Sequence, residues 1–145
     1  MLLTGMEILK PVAVLAGWTM VMWVWMYATR IPAMQRANYD MAKPGGTGKD
    51  LDGALPAEVQ WKAHNFNHLH EAPTVFYAVA LLLAIIGQGD GLSAQIGWVY
   101  VVLRVVHSLV QAISNKVMLR FMLFALSSLC LMALVALALQ ALFRG

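Results

Sequence analysis

The chain has 145 residues, 61% of them hydrophobic and only 12% charged, with a mean hydropathy of +0.70. Water-soluble domains sit nearer half apolar and a quarter charged, so a soluble core is excluded and a single membrane domain over residues 1–145 is expected. The net charge of +3 is too small and too scattered to suggest a nucleic-acid partner, and the single cysteine excludes an intrachain disulfide.

A spanning helix needs about 20 mainly apolar residues, each adding about 1.5 Å against a hydrocarbon core of about 30 Å. The first candidate, residues 8–28, ends in Tyr27, Ala28, Thr29 and Arg30 with no small-x-small cleavage site. It reads as a retained helix and not as a signal peptide. Its Trp18, Trp23, Trp25 and Tyr27 read as bilayer-facing or interfacial anchors. A polar loop from Arg30 to Leu55 follows, containing Pro32 and Pro44. Within it, Lys43 to Lys49 superficially resembles a phosphate-binding loop. That pattern needs glycine at Lys43 and a hydroxyl at Asp50, so a flexible turn is expected instead.

The second span, residues 60–86, has a clean apolar part of only 15 residues, Ala72 to Ile86. To cross, it must extend back through the polar residues between Trp61 and Glu71, which cannot face lipid. On a continuous helix His64, Asn67, His68 and Glu71, at i, i+3, i+4 and i+7, share one face. They read either as metal ligands or as a hydrogen-bonded seam. Three ligands on one helix make a weak metal signal, so no metal site is assigned.

The third span, residues 94–114, carries the sharpest signal. Arg104, His107, Gln111 and Asn115 are spaced 3, 4 and 4 apart and fall along one stripe of the helix, with Ser108 at its border. An arginine near mid-span costs at least about 2.5 kcal/mol unless paired, hydrated or buried against protein. Arg104 is therefore a functional candidate or half of a structural ion pair. Its expected partner is Glu71, the only acidic residue within these spans, or another internal acceptor. The fourth span, residues 117–143, holds Cys130 between Leu129 and Leu131, where it reads as packing. Turns are expected at Gly87–Gly91 and Asn115–Lys116. The expected fold is an all-α transmembrane four-helix bundle.

Loops one and three collect Arg30, Arg36, Lys43, Lys49, Lys62, Lys116 and Arg120, while the opposite side holds Lys10 and Arg144. This positive-inside bias predicts cytoplasmic loops one and three and non-cytoplasmic termini. In a bacterium, helical spans imply the inner membrane. Arg30, Arg36, Lys116 and Arg120 gather at the cytoplasmic helix ends, either snorkelling or building an anion site where the later helices meet.

Asn65 to Tyr77 and Leu103 to Asn115 resemble the signature segments of the membrane-associated proteins in eicosanoid and glutathione metabolism, the MAPEG family. The resemblance covers nearly the whole chain, including Ala28 to Arg30 closing the first span. It implies a homotrimer with sites between subunits. There glutathione, as co-substrate, meets a lipophilic small molecule from the membrane lipids, near the cytoplasmic side. Carried over by position, Asn67, Glu71 and Arg104 match ligands of glutathione, and Arg30 matches an arginine ending the first helix. His107, Gln111 and Asn115 of the stripe are taken as binding candidates with them. Arg120 or Lys116 is the counterpart of the arginine that lowers the thiol pKa.

Two departures bear on activity. The family's glutamate position is occupied by His70, with Glu71 one residue later, and Gln111 stands where the microsomal transferases have tyrosine. The implied function is conjugation or reduction of lipophilic electrophiles, of the glutathione transferase or peroxidase type. The alternative is a non-catalytic lipid-binding or scaffold member.

Overall fold

A computed structural model describes residues 4–40, 42 and 46–144. Lys43, Pro44 and part of the turn expected there lie outside the described residues. The elements are α1 (Leu9–Arg36), a 3-10 turn (Gly48–Leu51), α2 (Ala57–His68), α3 (Ala72–Ile85), α4 (Leu92–Ile113) and α5 (Val117–Phe143). Among the described residues there is no strand. Four stretches are long and apolar enough to cross a membrane: α1, α2 with α3, α4, and α5.

The helix α1 runs past the predicted end at Ala28 to Arg36, through Pro32. Proline removes one backbone donor, which normally ends a helix or kinks it. Tertiary packing carries the last turns here, because buried Ala33 joins Leu51 and Leu55 in a small cluster beneath the first loop. The main core lies deeper. Ile8, Leu15 and Met22 recur every seven residues along α1 and meet Phe76, Ala80 and Leu83 of α3, Tyr100 of α4 and Leu134 of α5. Phe76 stacks on Tyr100 with ring centroids 4.5 Å apart. Cys130 is half-buried against this core.

The second span is not one helix. Three i→i−3 bonds tighten the chain around the break: His70 N–H donates to Asn67 O at 3.0 Å, Glu71 N–H to His68 O at 3.2 Å, and Thr74 N–H to Glu71 O at 3.1 Å. Glu71 has left helical geometry, with φ −95° and ψ −99°. Pro73 explains the break. Its ring would strike the carbonyl of Leu69 in a continuous helix, whereas in the first turn of α3 its missing N–H costs nothing. The single polar face expected from His64 to Glu71 is therefore corrected: His68 ends α2, and Glu71 is exposed beyond it.

The outer surface is apolar, as a bilayer requires. Val21, Trp23 and Val24 of α1 and Met118, Phe121, Leu129 and Met132 of α5 are all exposed. At one end, the segment before α1 is clasped to the α3–α4 loop. Asp90 accepts hydrogen bonds from Gly5 N–H at 2.7 Å and Glu7 N–H at 3.0 Å, and Ile8 N–H donates to Gly89 O at 3.0 Å. Gly5 has φ +82° and lies so close that an added Cβ would sit 2.6 Å from Gly87 Cα. Only glycine fits there.

The bonds from Gly5 and then Glu7 hold the Asp90 carboxyl below its ordinary value of 3.8. A depressed carboxyl adds stability above its unfolded value and loses it as pH falls through the folded one. Wild type should therefore melt above Asp90→Asn at neutral pH and converge with it below about 3.8, read by thermal unfolding in detergent. A gap that persists unchanged in stronger acid would contradict the clasp.

Candidate functional site

Two groups of polar residues lie towards the end of the bundle that carries the first loop and the α4–α5 turn. The first belongs to α4, whose predicted stripe faces inward: Arg104, His107, Ser108 and Gln111 are all buried. Arg104 is 0% exposed. Its Nη2 lies 2.7 Å from His68 Nδ1. A guanidinium only donates, so His68 Nδ1 accepts, and the imidazole is neutral with its proton on Nε2. The internal partner of Arg104 is thus His68 from α2 and not Glu71.

The His68 ring lies 5.0 Å from that of His107 and meets Phe124 of α5 edge-on at 5.8 Å. Asn65 Nδ2 donates to Ser108 Oγ, fastening α2 to α4 one turn away. Beyond the turn, Arg120 Nη1 donates to Asn115 Oδ1. His68, His107 and Arg120 line a cleft of about 240 Å³ whose other walls are Val117, Phe121 and Phe124. No carboxylate lines it. Several polar atoms beside it are buried without a partner: Arg104 Nε and Nη1, His107 Nδ1 and Gln111 Oε1. Buried polar atoms are normally paired, so this is where a ligand or water gains most.

The second group surrounds a cavity of about 420 Å³ between α1, α2 and the first loop, lined in part by Arg30, Asp52, Gln60, His64 and Asn67. Gln60 is its hub. Its Oε1 accepts from Arg30 Nη2 at 3.2 Å, while its Nε2 donates to Asp52 Oδ1 at 2.7 Å and Gly48 O at 3.3 Å. His64 Nε2 lies 2.9 Å from the same Asp52 oxygen. The bonds from Gln60 and then His64 hold the Asp52 carboxyl below its ordinary value.

The residues singled out from sequence therefore divide. His107 and Arg120 line the cleft, Asn115 bonds to Arg120 behind it, and Arg104 and Gln111 are buried on the same helix as His107. Arg30 and Asn67 line the other cavity. Glu71 and Lys116 are exposed and line neither. His64 and His68 do not converge, because one faces Asp52 and the other Arg104. Among the described residues no three His, Cys, Asp or Glu side chains group to hold a metal ion.

Sequence reasoning missed Gln60 and Asp52 as the strap on Arg30. Gln60 lies four residues before His64, on the same helical face, and that spacing was the available signal.

The sequence profile of the MAPEG family matches residues 8–140. The chain belongs to the MAPEG family. No curated protein and no solved structure matches it. As a MAPEG protein with four stretches able to cross a bilayer, it is an integral, multi-pass membrane protein.

In this MAPEG bundle the Arg104–His68 bond should be the dominant polar tie between α2 and α4. His68→Ala strands a buried cationic donor and is expected to destabilise by about 2 kcal/mol, measured by unfolding in mixed micelles. Pairing His68→Phe with Arg104→Met removes both partners and should be milder than His68→Ala alone. A double variant at least as unstable as the single one would contradict the assignment.

Proposed function

We propose that this protein binds glutathione and presents its thiolate to a lipophilic electrophile from the bilayer, as a homotrimer with sites between subunits. The observation that carries the reading is the cleft of Arg120, His68 and His107, rich in hydrogen-bond donors, free of carboxylates and walled by Phe121 and Phe124. It offers a cation to an anionic sulfur and an apolar wall to a lipid-soluble partner. Arg120 also lies in the first turn of α5, where the helix end favours negative charge.

A free thiol has a pKa of about 8.5, and each unit of lowering corresponds to about 1.4 kcal/mol of preferential thiolate binding. The thiolate attacks the electrophilic carbon and forms a C–S bond, and the displaced group or opened oxygen takes up a proton. Arg30 and Asn67 line a separate cavity within one protomer, and a trimer would bring such surfaces of neighbouring subunits together around the tripeptide's carboxylates. The reading also places loops one and three in the cytoplasm, both termini on the other side and, in a bacterium, the protein in the inner membrane. The basic residues of those two loops support it.

A non-catalytic, lipid-binding or scaffold role is favoured by two observations. Gln111 provides no phenol beside the cleft, and Glu71 is exposed past the helix break.

Calorimetry of the purified protein with glutathione decides between the two. Saturable binding is expected, with thiolate absorbance near neutral pH. Arg120→Ala should abolish conjugation of a model electrophile, and Gln111→Tyr should raise it. Absence of glutathione binding, with no conjugation of any electrophile tried, would transfer the protein to the scaffold reading. For topology, a reporter active only in the cytoplasm should stay silent when fused after Gly145. A signal there would reverse the orientation.

A further inference from the structure

We propose that Asn115 is a positioning residue that aims Arg120 into the cleft. The inference rests on the reading of Arg120 as the partner of the glutathione thiolate, and it reassigns Asn115 from a direct ligand to a support. The chain turns from α4 to α5 through Asn115 with φ +49°. Asparagine is one of the few residues other than glycine that enters this left-handed region readily. Its backbone N–H closes the end of α4 on Val110 O at 2.6 Å. The cap is therefore made by the main chain alone, and the side-chain oxygen remains for another use.

That use is Arg120. Its Nη1 donates to Asn115 Oδ1, and the same side chain lines the cleft beside His68 and His107. Nothing in α5 itself would keep it there. Arg120 sits near the positive end of the helix, a position unfavourable to a cation. Val117 and Phe121 of the cleft wall and the neighbouring Met118 are all exposed. A free arginine stem would lie along them and carry its head to the lipid phosphates. One Nη held by Asn115 restrains the guanidinium and leaves the remaining N–H groups of the fork for an anion in the cleft.

Glycine satisfies the left-handed turn at least as well as asparagine. Asn115→Gly therefore removes the acceptor while keeping the cap, and the variant should elute as the wild type does. Two readouts are measured on the full-length protein in detergent. One is the rate of phenylglyoxal modification at Arg120, read by peptide mass spectrometry without glutathione. It is expected to rise about tenfold, as for loss of one charge-assisted hydrogen bond. Asn115→Asp, which keeps the oxygen, should restore protection. The other is the pH midpoint of thiolate absorbance with glutathione bound. It should move up in Asn115→Gly by about one unit, a tenfold loss of thiolate at a given pH.

Unchanged modification and an unchanged midpoint in Asn115→Gly would overturn the proposal. Released modification with no glutathione binding even in wild type would leave the hold on Arg120 standing and overturn the glutathione reading instead.

Discussion

A guanidinium inside a bilayer-spanning helix constrains everything around it. Arg104 is 0% exposed at the middle of α4, in a medium where an unpaired cation is costly. The bond to His68 Nδ1 is what makes the position tolerable, and it demands a neutral imidazole at that spot. To deliver His68, α2 must pack on α4 at that height, which the Asn65–Ser108 bond secures one turn away. The tilted His107 ring beside it and the cleft bounded by Arg120 follow from this arrangement.

The break between α2 and α3 belongs to the same constraint. Had the span been one straight helix, Glu71 would have shared a face with His68 and competed for Arg104. Pro73 prevents it, and the turn through Glu71 leaves the carboxylate exposed. The cleft is therefore lined by Arg120 and two imidazoles with no carboxylate among its walls.

How much of this was legible in the sequence depends on the range of the interaction. The four spans were legible because apolar length is a local property, and the inward stripe of α4 because Arg104, His107 and Gln111 repeat at the helical period. The break at Glu71 carried a local sign as well, in Pro73. The run of α1 past Pro32 was hidden, since it depends on Ala33 packing against Leu51 and Leu55 from the first loop. Spacing could pair Gln60 with His64 on one face of α2, but their loop partner Asp52 was hidden, because a loop carboxylate's partners are set by tertiary contact. His68 lay on the polar face read from sequence, yet only the packing of α2 on α4 selects it over Glu71 as the partner of Arg104.

The central claim is that the cleft at Arg120, His68 and His107 receives the sulfur of glutathione. A density map of the protein in lipid nanodiscs with glutathione tests it most directly. The account predicts the sulfur within hydrogen-bond reach of the Arg120 guanidinium, about 3 Å, beside the His107 ring. An acyl chain in the cleft, with the sulfur elsewhere or no glutathione at all, would contradict it.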